Sequence, residues 1–188
     1  MSETTAVIVR AGVADAGEIL TVQRAAYLTE AQLYGDPFIP PLVESLDRLR
    51  ATLGDGDGVV LKAVLDGRVA GAVRARFNDR TCLVGRLVVA PDLQGRGIGG
   101  RLLRAVEDAV AGRADACALF TGHLSEGNLR LYRRAGYRET NRERVAAHLT
   151  HVHMRKDLPA AADAVEPAGA AGAAGAAGTA GTAGAAGA

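Results

Sequence analysis

The chain has 188 residues, enough for one domain with an appendage. Hydrophobic residues reach 48%, but alanine supplies much of that share, so the figure overstates the core. All 22 basic residues lie in positions 1–157 together with 19 of the 21 acidic ones, and a formal +3 is too weak an excess for a nucleic-acid or membrane surface.

Met1-Ser2-Glu3-Thr4-Thr5 lacks the basic-then-apolar pattern of a signal peptide, and no apolar run approaches membrane-spanning length. The expectation is a cytoplasmic protein. Ala6–Val9 reads as a first strand. Asp15 is placed to cap a helix bearing Ile19, Leu20, Val22, Ala26 and Tyr27 on its apolar side. From Tyr27 to Pro41 the chain is rich in rings and prolines, and Pro37, Pro40 and Pro41 break any continuous helix. A second helix is expected from Pro41 to Gly54, with the proline at a first helical position. After the turn Asp55-Gly56-Asp57-Gly58, strands Val59–Leu65 and Arg68–Arg76 flank Asp66-Gly67, a type I′ hairpin signature. Thr81–Val89 is the long central strand, and Gly85 interrupts it as glycine does at a bulge.

A glycine-rich turn follows, then a helix carrying Leu102, Leu103, Val106 and Val110 that ends near Gly112. Ala116–Thr121 is another strand. Ser125 is placed to cap a short helix that Gly136 ends, Tyr137 opens an extended run, and Ala147–Met154 is the last strand, with His151 and His153 on one face. The order predicts a mixed α/β domain: a mostly antiparallel central sheet with one parallel crossover and helices on both faces. Cys82 and Cys117 sit in apolar strand-like runs and read as core residues, and no metal site is expected. From residue 158 the composition changes to alanine with glycine at every third position from Gly169, so residues 1–157 form the domain and 158–188 an expected disordered tail.

The chemistry concentrates where the central strand ends. Leu87-Val88-Val89 runs into Pro91 and Asp92, then into Gln94-Gly95-Arg96-Gly97-Ile98-Gly99-Gly100, and a helix opens. A strand, a glycine turn and a helix start make an anion cradle, because unpaired N–H groups and the helix dipole point at whatever the glycines admit. Arg96 and Arg101 add positive charge nearby. No Lys-Ser/Thr follows the last glycine, which excludes a P-loop, and Gln94 stands where a dinucleotide fingerprint needs glycine. A diphosphate ligand is expected.

Gln94-Gly95-Arg96-Gly97-Ile98-Gly99 resembles the coenzyme A-binding motif of the GCN5-related N-acetyltransferases. A second stretch, Asn128-Leu129-Arg130-Leu131-Tyr132-Arg133-Arg134-Ala135-Gly136-Tyr137, resembles the Asn-x-x-x-Tyr-x-x-x-Gly-Phe/Tyr pattern many members carry after their fifth strand. The resemblance covers roughly residues 6–157. It implies the GNAT fold and direct transfer of acetyl from acetyl-CoA to an amine in a ternary complex. It assigns cofactor binding to Leu87, Val88, Val89, the run Gln94, Gly95, Arg96, Gly97, Ile98, Gly99 and Gly100, and to Asn128 and Tyr132. It also assigns the oxyanion donor to backbone around Val88 and the general acid to Tyr132.

The acceptor site should be shaped by Tyr27 to Glu44, where Glu30, Tyr34 and Glu44 are placed to attract a cationic amine. Tyr34 and Phe38 packing under their own loop is the other reading of that segment. The general base is open, because the central strand carries Cys82-Leu83-Val84-Gly85-Arg86 where relatives often place a glutamate. Glu30, Glu44, Asp79 and His123 are the candidates, or a water chain. The acceptor, a small molecule or a protein amine, is not named by the sequence, and a homodimer stays open. A non-catalytic acyl-CoA-binding sensor or scaffold is the competing reading, and the missing strand carboxylate is its support.

Overall fold

The computed structural model describes residues 5–159; of the expected tail, residues 160–188 lie outside the described residues, while Leu158 belongs to the domain, its N–H bonded to the Asp115 carbonyl at 2.8 Å and its side chain packed on the core. Seven strands form one sheet in the order β1-β2-β3-β4-β5-β7-β6. They are β1 (Val7–Arg10), β2 (Gly58–Leu65), β3 (Arg68–Asn78), β4 (Thr81–Val89), β5 (Ala116–Gly122), β6 (Arg138–Arg144) and β7 (Thr150–Asp157). Only β4 and β5 are parallel, and α4 (Ile98–Val110) supplies the crossover that such a pair needs. Asp66 and Gly67 both have positive φ (50° and 77°), as a type I′ hairpin requires.

The sheet is covered on both faces. On one side α4 buries Leu102, Leu103, Val106 and Val110, the positions its periodicity marks, against residues of β2 to β5, with Leu129 and Tyr132 joining that core. On the other, Ile19 and Leu20 of α1 (Ala16–Tyr34) and Leu49 of α3 (Leu46–Gly54) pack on Val60, Val69, Ala72 and Val88. Cys82 and Cys117, paired in register on β4 and β5, are fully buried and free.

Four local expectations change. The first helix continues through Glu30 to Tyr34, because Thr29–Leu33 contains no breaker. It stops at Gly35 in the left-handed conformation (φ 64°), whose N–H bonds back to Ala31 and Gln32. The single helix expected from Pro41 is two, α2 (Pro40–Val43) and α3. Glu44 is extended (ψ 131°) between them, and Ser45 restarts the helix by accepting from the Arg48 N–H at 3.2 Å. Asp15 does not cap α1 through its side chain; it takes the Gly12 N–H at 2.8 Å and pairs with Lys62. The last strand begins at Thr150 rather than Ala147, because Ala146 and Leu149 close a turn before it.

Candidate active site

β4 breaks its ladder with β3 between Ala72 and Arg74, so that Val88 faces Ala72 while Gly85 faces Arg74. The bulge expected at Gly85 is therefore present, but its strained residue is Arg86, a non-glycine with φ 51°. On its other edge β4 pairs with β5 only at Thr81, Cys82 and Leu83. From Val84 onward the two parallel strands part. Backbone groups of Leu87, Val88 and Val89 thus line a wedge beside the glycine turn, and Gln94 donates to the Val89 carbonyl at 3.3 Å to tie the turn to the strand.

The turn has the properties of an anion cradle. Gly95 and Gly97 have φ of 78° and 76°, which strains any other residue. Gly97 is the residue before α4 and offers no side-chain cap. The first internal helix bond is Arg101 N–H to Gly97 carbonyl at 3.1 Å, so the N–H groups of Ile98, Gly99 and Gly100 precede the helical ladder. Gly99 and Gly100 face Leu131 of α5 (Glu126–Arg134) at ordinary contact distance for an added Cβ. Arg96 is exposed at the turn. Arg101 is not available there: its guanidinium is held by the Ala6 carbonyl at 2.6 Å.

Across the wedge, α5 carries Asn128 and Tyr132 one turn apart. Asn128 donates to Glu30 at 2.9 Å, and Ser125 donates to the other Glu30 oxygen at 2.9 Å. Ser125 stands at the helix start, but its hydroxyl serves Glu30 and Tyr34 rather than capping. Burial is the largest influence on Glu30 and raises its pKa above the ordinary carboxylate value, against the lowering pull of those two hydrogen bonds. Tyr132 is 8% exposed, and no side-chain hydrogen bond to the described residues engages its hydroxyl. Burial, with Tyr27 and Glu30 nearby, pushes its pKa up, so the phenol stays protonated.

Glu44 lies in a different setting. Arg74 grips both its oxygens at 2.8 Å and Gln23 donates at 2.8 Å, with side-chain exposures of 12% for Arg74 and 6% for Glu44. Burial alone would raise its pKa, but these bonds and the charges of Arg74 and Arg86 outweigh that and hold it low. A carboxylate so held is a poor proton acceptor, so Glu44 is withdrawn from the base candidates and anchors the α2–α3 elbow instead. Arg74→Leu would leave that charge buried and unpaired, with an expected loss of about 3–5 kcal/mol in unfolding free energy by chemical denaturation.

The remaining candidates separate as well. Asp79 sits exposed in the β3–β4 hairpin (φ 52°), at the far end of the strands from the bulge. His123 accepts the Thr150 N–H on Nδ1 at 3.2 Å. Tyr34 is buried (7% exposed), donating or accepting at Ser125 and receiving the Leu124 N–H, while Phe38 is 77% exposed, so the two rings have different fates. Gly122 makes room for Tyr34: a Cβ there would stand 2.2 Å from its hydroxyl oxygen. His151 and His153 share a face as expected, flanking Phe120, and Glu143 on β6 bonds His153 at 3.0 Å. Arg86 and Ser125 were not among the expected site residues, Ser125 being expected as a helix cap. Only the Arg86 position, in place of the usual strand carboxylate, carried a signal.

Residues 28–158 match the model of the acetyltransferase (GNAT) domain, well over half of the chain, and the protein belongs to that family. It is similar to the UPF0157 protein YqkA of Bacillus subtilis, 30% identical over 134 residues, which covers 71% of this chain and 38% of that one. The chain therefore spans well under half the length of the curated relative it matches. Among solved structures it is similar to the ribosomal-protein-S18-alanine N-acetyltransferase of Escherichia coli (TM-score 0.69, 15% identity, 86% of this chain and 99% of that one). It is also similar to the PaiA N-acetyltransferase of Thermoplasma acidophilum in complex with coenzyme A (TM-score 0.66, 16% identity, 82% and 99%). At these identities the likeness carries the fold. Among the described residues no helix is long and apolar enough to cross a membrane.

Proposed function

We propose that this domain is an acetyl-CoA-dependent N-acetyltransferase in which Glu30 is the general base and Tyr132 the general acid. The observation that carries the reading is the Glu30 carboxylate held by Asn128 on the helix of Tyr132. It supplies, from α1, the carboxylate that β4 lacks. The cosubstrate's diphosphate would rest on the N–H groups of Ile98, Gly99 and Gly100, with Gln94 through Gly97 shaping the turn, and its acyl arm would follow the free edge of Leu87, Val88 and Val89.

An acceptor ammonium has pKa ~10 in water and must lose a proton before attack. Glu30, raised by burial, takes that proton more readily than an exposed carboxylate. The amine nitrogen forms a bond to the thioester carbonyl carbon. The charge that develops on oxygen meets a backbone donor around Val88. The carbon–sulfur bond then breaks, Tyr132 gives the sulfur its proton, and the second proton lost by the amine nitrogen as the amide forms restores the Tyr132 phenol. A reducing, cytoplasmic setting suits two buried free cysteines.

Tyr132→Phe tests the acid. The ring and its packing against Tyr137 remain, and only the hydroxyl is lost. A thiolate leaves more easily than an amine, so kcat should fall by roughly 10²–10³-fold, the lower half of the usual range for acid catalysis. Coenzyme A affinity by calorimetry should hold. Wild-type kcat under conditions where chemistry limits the rate would return Tyr132 to the core.

A further inference from the structure

We infer that the acceptor amine carries an anionic group, a carboxylate or a phosphate, which Arg86 and Arg48 bind in a cavity at the α2–α3 elbow. The cavity, about 290 Å³, is lined by Pro40, Val43, Glu44, Ser45, Arg48 and Arg86. This deepens the acetyltransferase reading and rests on it for the word acceptor; the anion site itself does not.

Charge in the cavity is unbalanced. Its one carboxylate, Glu44, has both oxygens bonded to Arg74, which balances its charge without a second or a third cation. Arg86 and Arg48 then remain as a surplus of two guanidinium groups. Arg48 makes no side-chain hydrogen bond among the described residues, although its backbone N–H caps to Ser45. The Arg86 Nε is buried with no partner at all. A buried guanidinium N–H without an acceptor is costly, and an ordered water or a bound ligand is what can supply one; Arg74 Nε is unpartnered in the same way, but only Arg86 lines the cavity. Arg86 is also the residue at φ 51°, so the chain holds a strained backbone conformation at this side chain.

The cavity is joined to the proposed site through β4, which supplies Arg86 to its wall. Arg86 is two residues before Val88 on the strand that ends at the reaction wedge. Tyr27 links the two ends: its hydroxyl feels the charges of Arg86 and of Glu30, and Tyr132 in turn feels Tyr27 and Glu30. An acceptor with its amine toward Glu30 and its anion toward Arg86 would lie along Tyr27. Pro40 and the half-exposed Val43 give the apolar wall for the carbon skeleton between. A planar fork such as guanidinium favours carboxylate and phosphate, which it can bind through two parallel hydrogen bonds.

The test compares matched acceptors. Amino acids with the carboxylate α, β or γ to the amine, aminoalkyl phosphates, and the corresponding carboxamides and neutral amino alcohols are assayed by thiol release from acetyl-CoA. The expected result is a kcat/KM at least roughly tenfold higher for one anionic series than for its neutral partners. Which series wins separates carboxylate from phosphate. Arg86→Gln should collapse that ratio toward one, and so should Arg48→Gln, whose exposed helix position keeps the fold safe should the first variant fail to fold. A ratio near one in the wild type, or a ratio unchanged in both variants, overturns the proposal. If no amine is turned over, calorimetry of the same amino acids and aminoalkyl phosphates on the coenzyme A-loaded protein decides. Binding lost in Arg48→Gln keeps the anion site and sinks the transfer reading, and no binding overturns the site itself.

Discussion

Glu30→Gln is expected to lower kcat by roughly 10²–10⁴-fold, the range that general base catalysis contributes, while the folded structure stays intact. Glutamine keeps the shape and can still accept from Asn128 or Ser125, so the link between α1 and α5 survives in part. What it cannot do is take a proton. The pH dependence separates this from a structural role. Burial places the Glu30 pKa above the ordinary carboxylate value, so the wild-type rate should rise with pH through that raised pKa as the base form appears, and Glu30→Gln should lose that limb. Stability runs the opposite way. A raised native pKa means the folded state favours the protonated acid, so ionisation of Glu30 lowers stability as pH climbs from the unfolded pKa through the folded one. Glu30→Gln removes that cost, and its melting temperature at pH 8 should not fall below wild type. Unchanged kcat, or a large loss of melting temperature with a proportionate loss of rate, would make Glu30 a structural residue.

Gly97→Asp should weaken coenzyme A binding by roughly a hundredfold or more, about 2.8 kcal/mol at 1.4 kcal/mol per tenfold. A Cβ at Gly97 meets nothing within 4 Å, so there is no clash with protein. The cost to the fold is the left-handed backbone, φ 76°, which aspartate tolerates better than most residues. The new carboxylate would instead sit at the start of α4, beside the N–H groups of Ile98, Gly99 and Gly100, and take the place and charge of the diphosphate. Calorimetry with coenzyme A and with pantetheine, which lacks the diphosphate, distinguishes the causes. Loss confined to coenzyme A locates the diphosphate at Gly97; equal loss of both, or no loss, contradicts the cradle.

Much of this was legible because local chemistry fixed it. Asp66-Gly67 demanded a type I′ turn, the spacing of Leu102, Leu103, Val106 and Val110 demanded an amphipathic helix, and Gln94 to Gly100 marked a glycine turn opening into a helix. Asn128 and Tyr132 on one helix face followed from a spacing of four. Other features were not local. Glu30 and Asn128 are 98 residues apart, and nothing in either segment says that they meet. Glu44 read as a base candidate because its partner Arg74 lies on another element, 30 residues away. The prolines at 37, 40 and 41 drew attention away from good helix formers just before them, so α1 was cut short at Tyr27. Arg86 stood in plain view, but its strained backbone and unpartnered Nε belong to the bulge, a tertiary event that the glycine beside it only hinted at.

The measurement that bears most directly on the whole account is acceptor-dependent thiol release from acetyl-CoA, with the acceptor's mass followed in the same reaction. Acetyl transfer predicts one free thiol and one N-acetylated amine per turnover, dependent on Glu30 and Tyr132. Tight coenzyme A binding with no thiol released for any amine, and no acetylated product, would contradict it and leave a domain that only binds acyl-CoA.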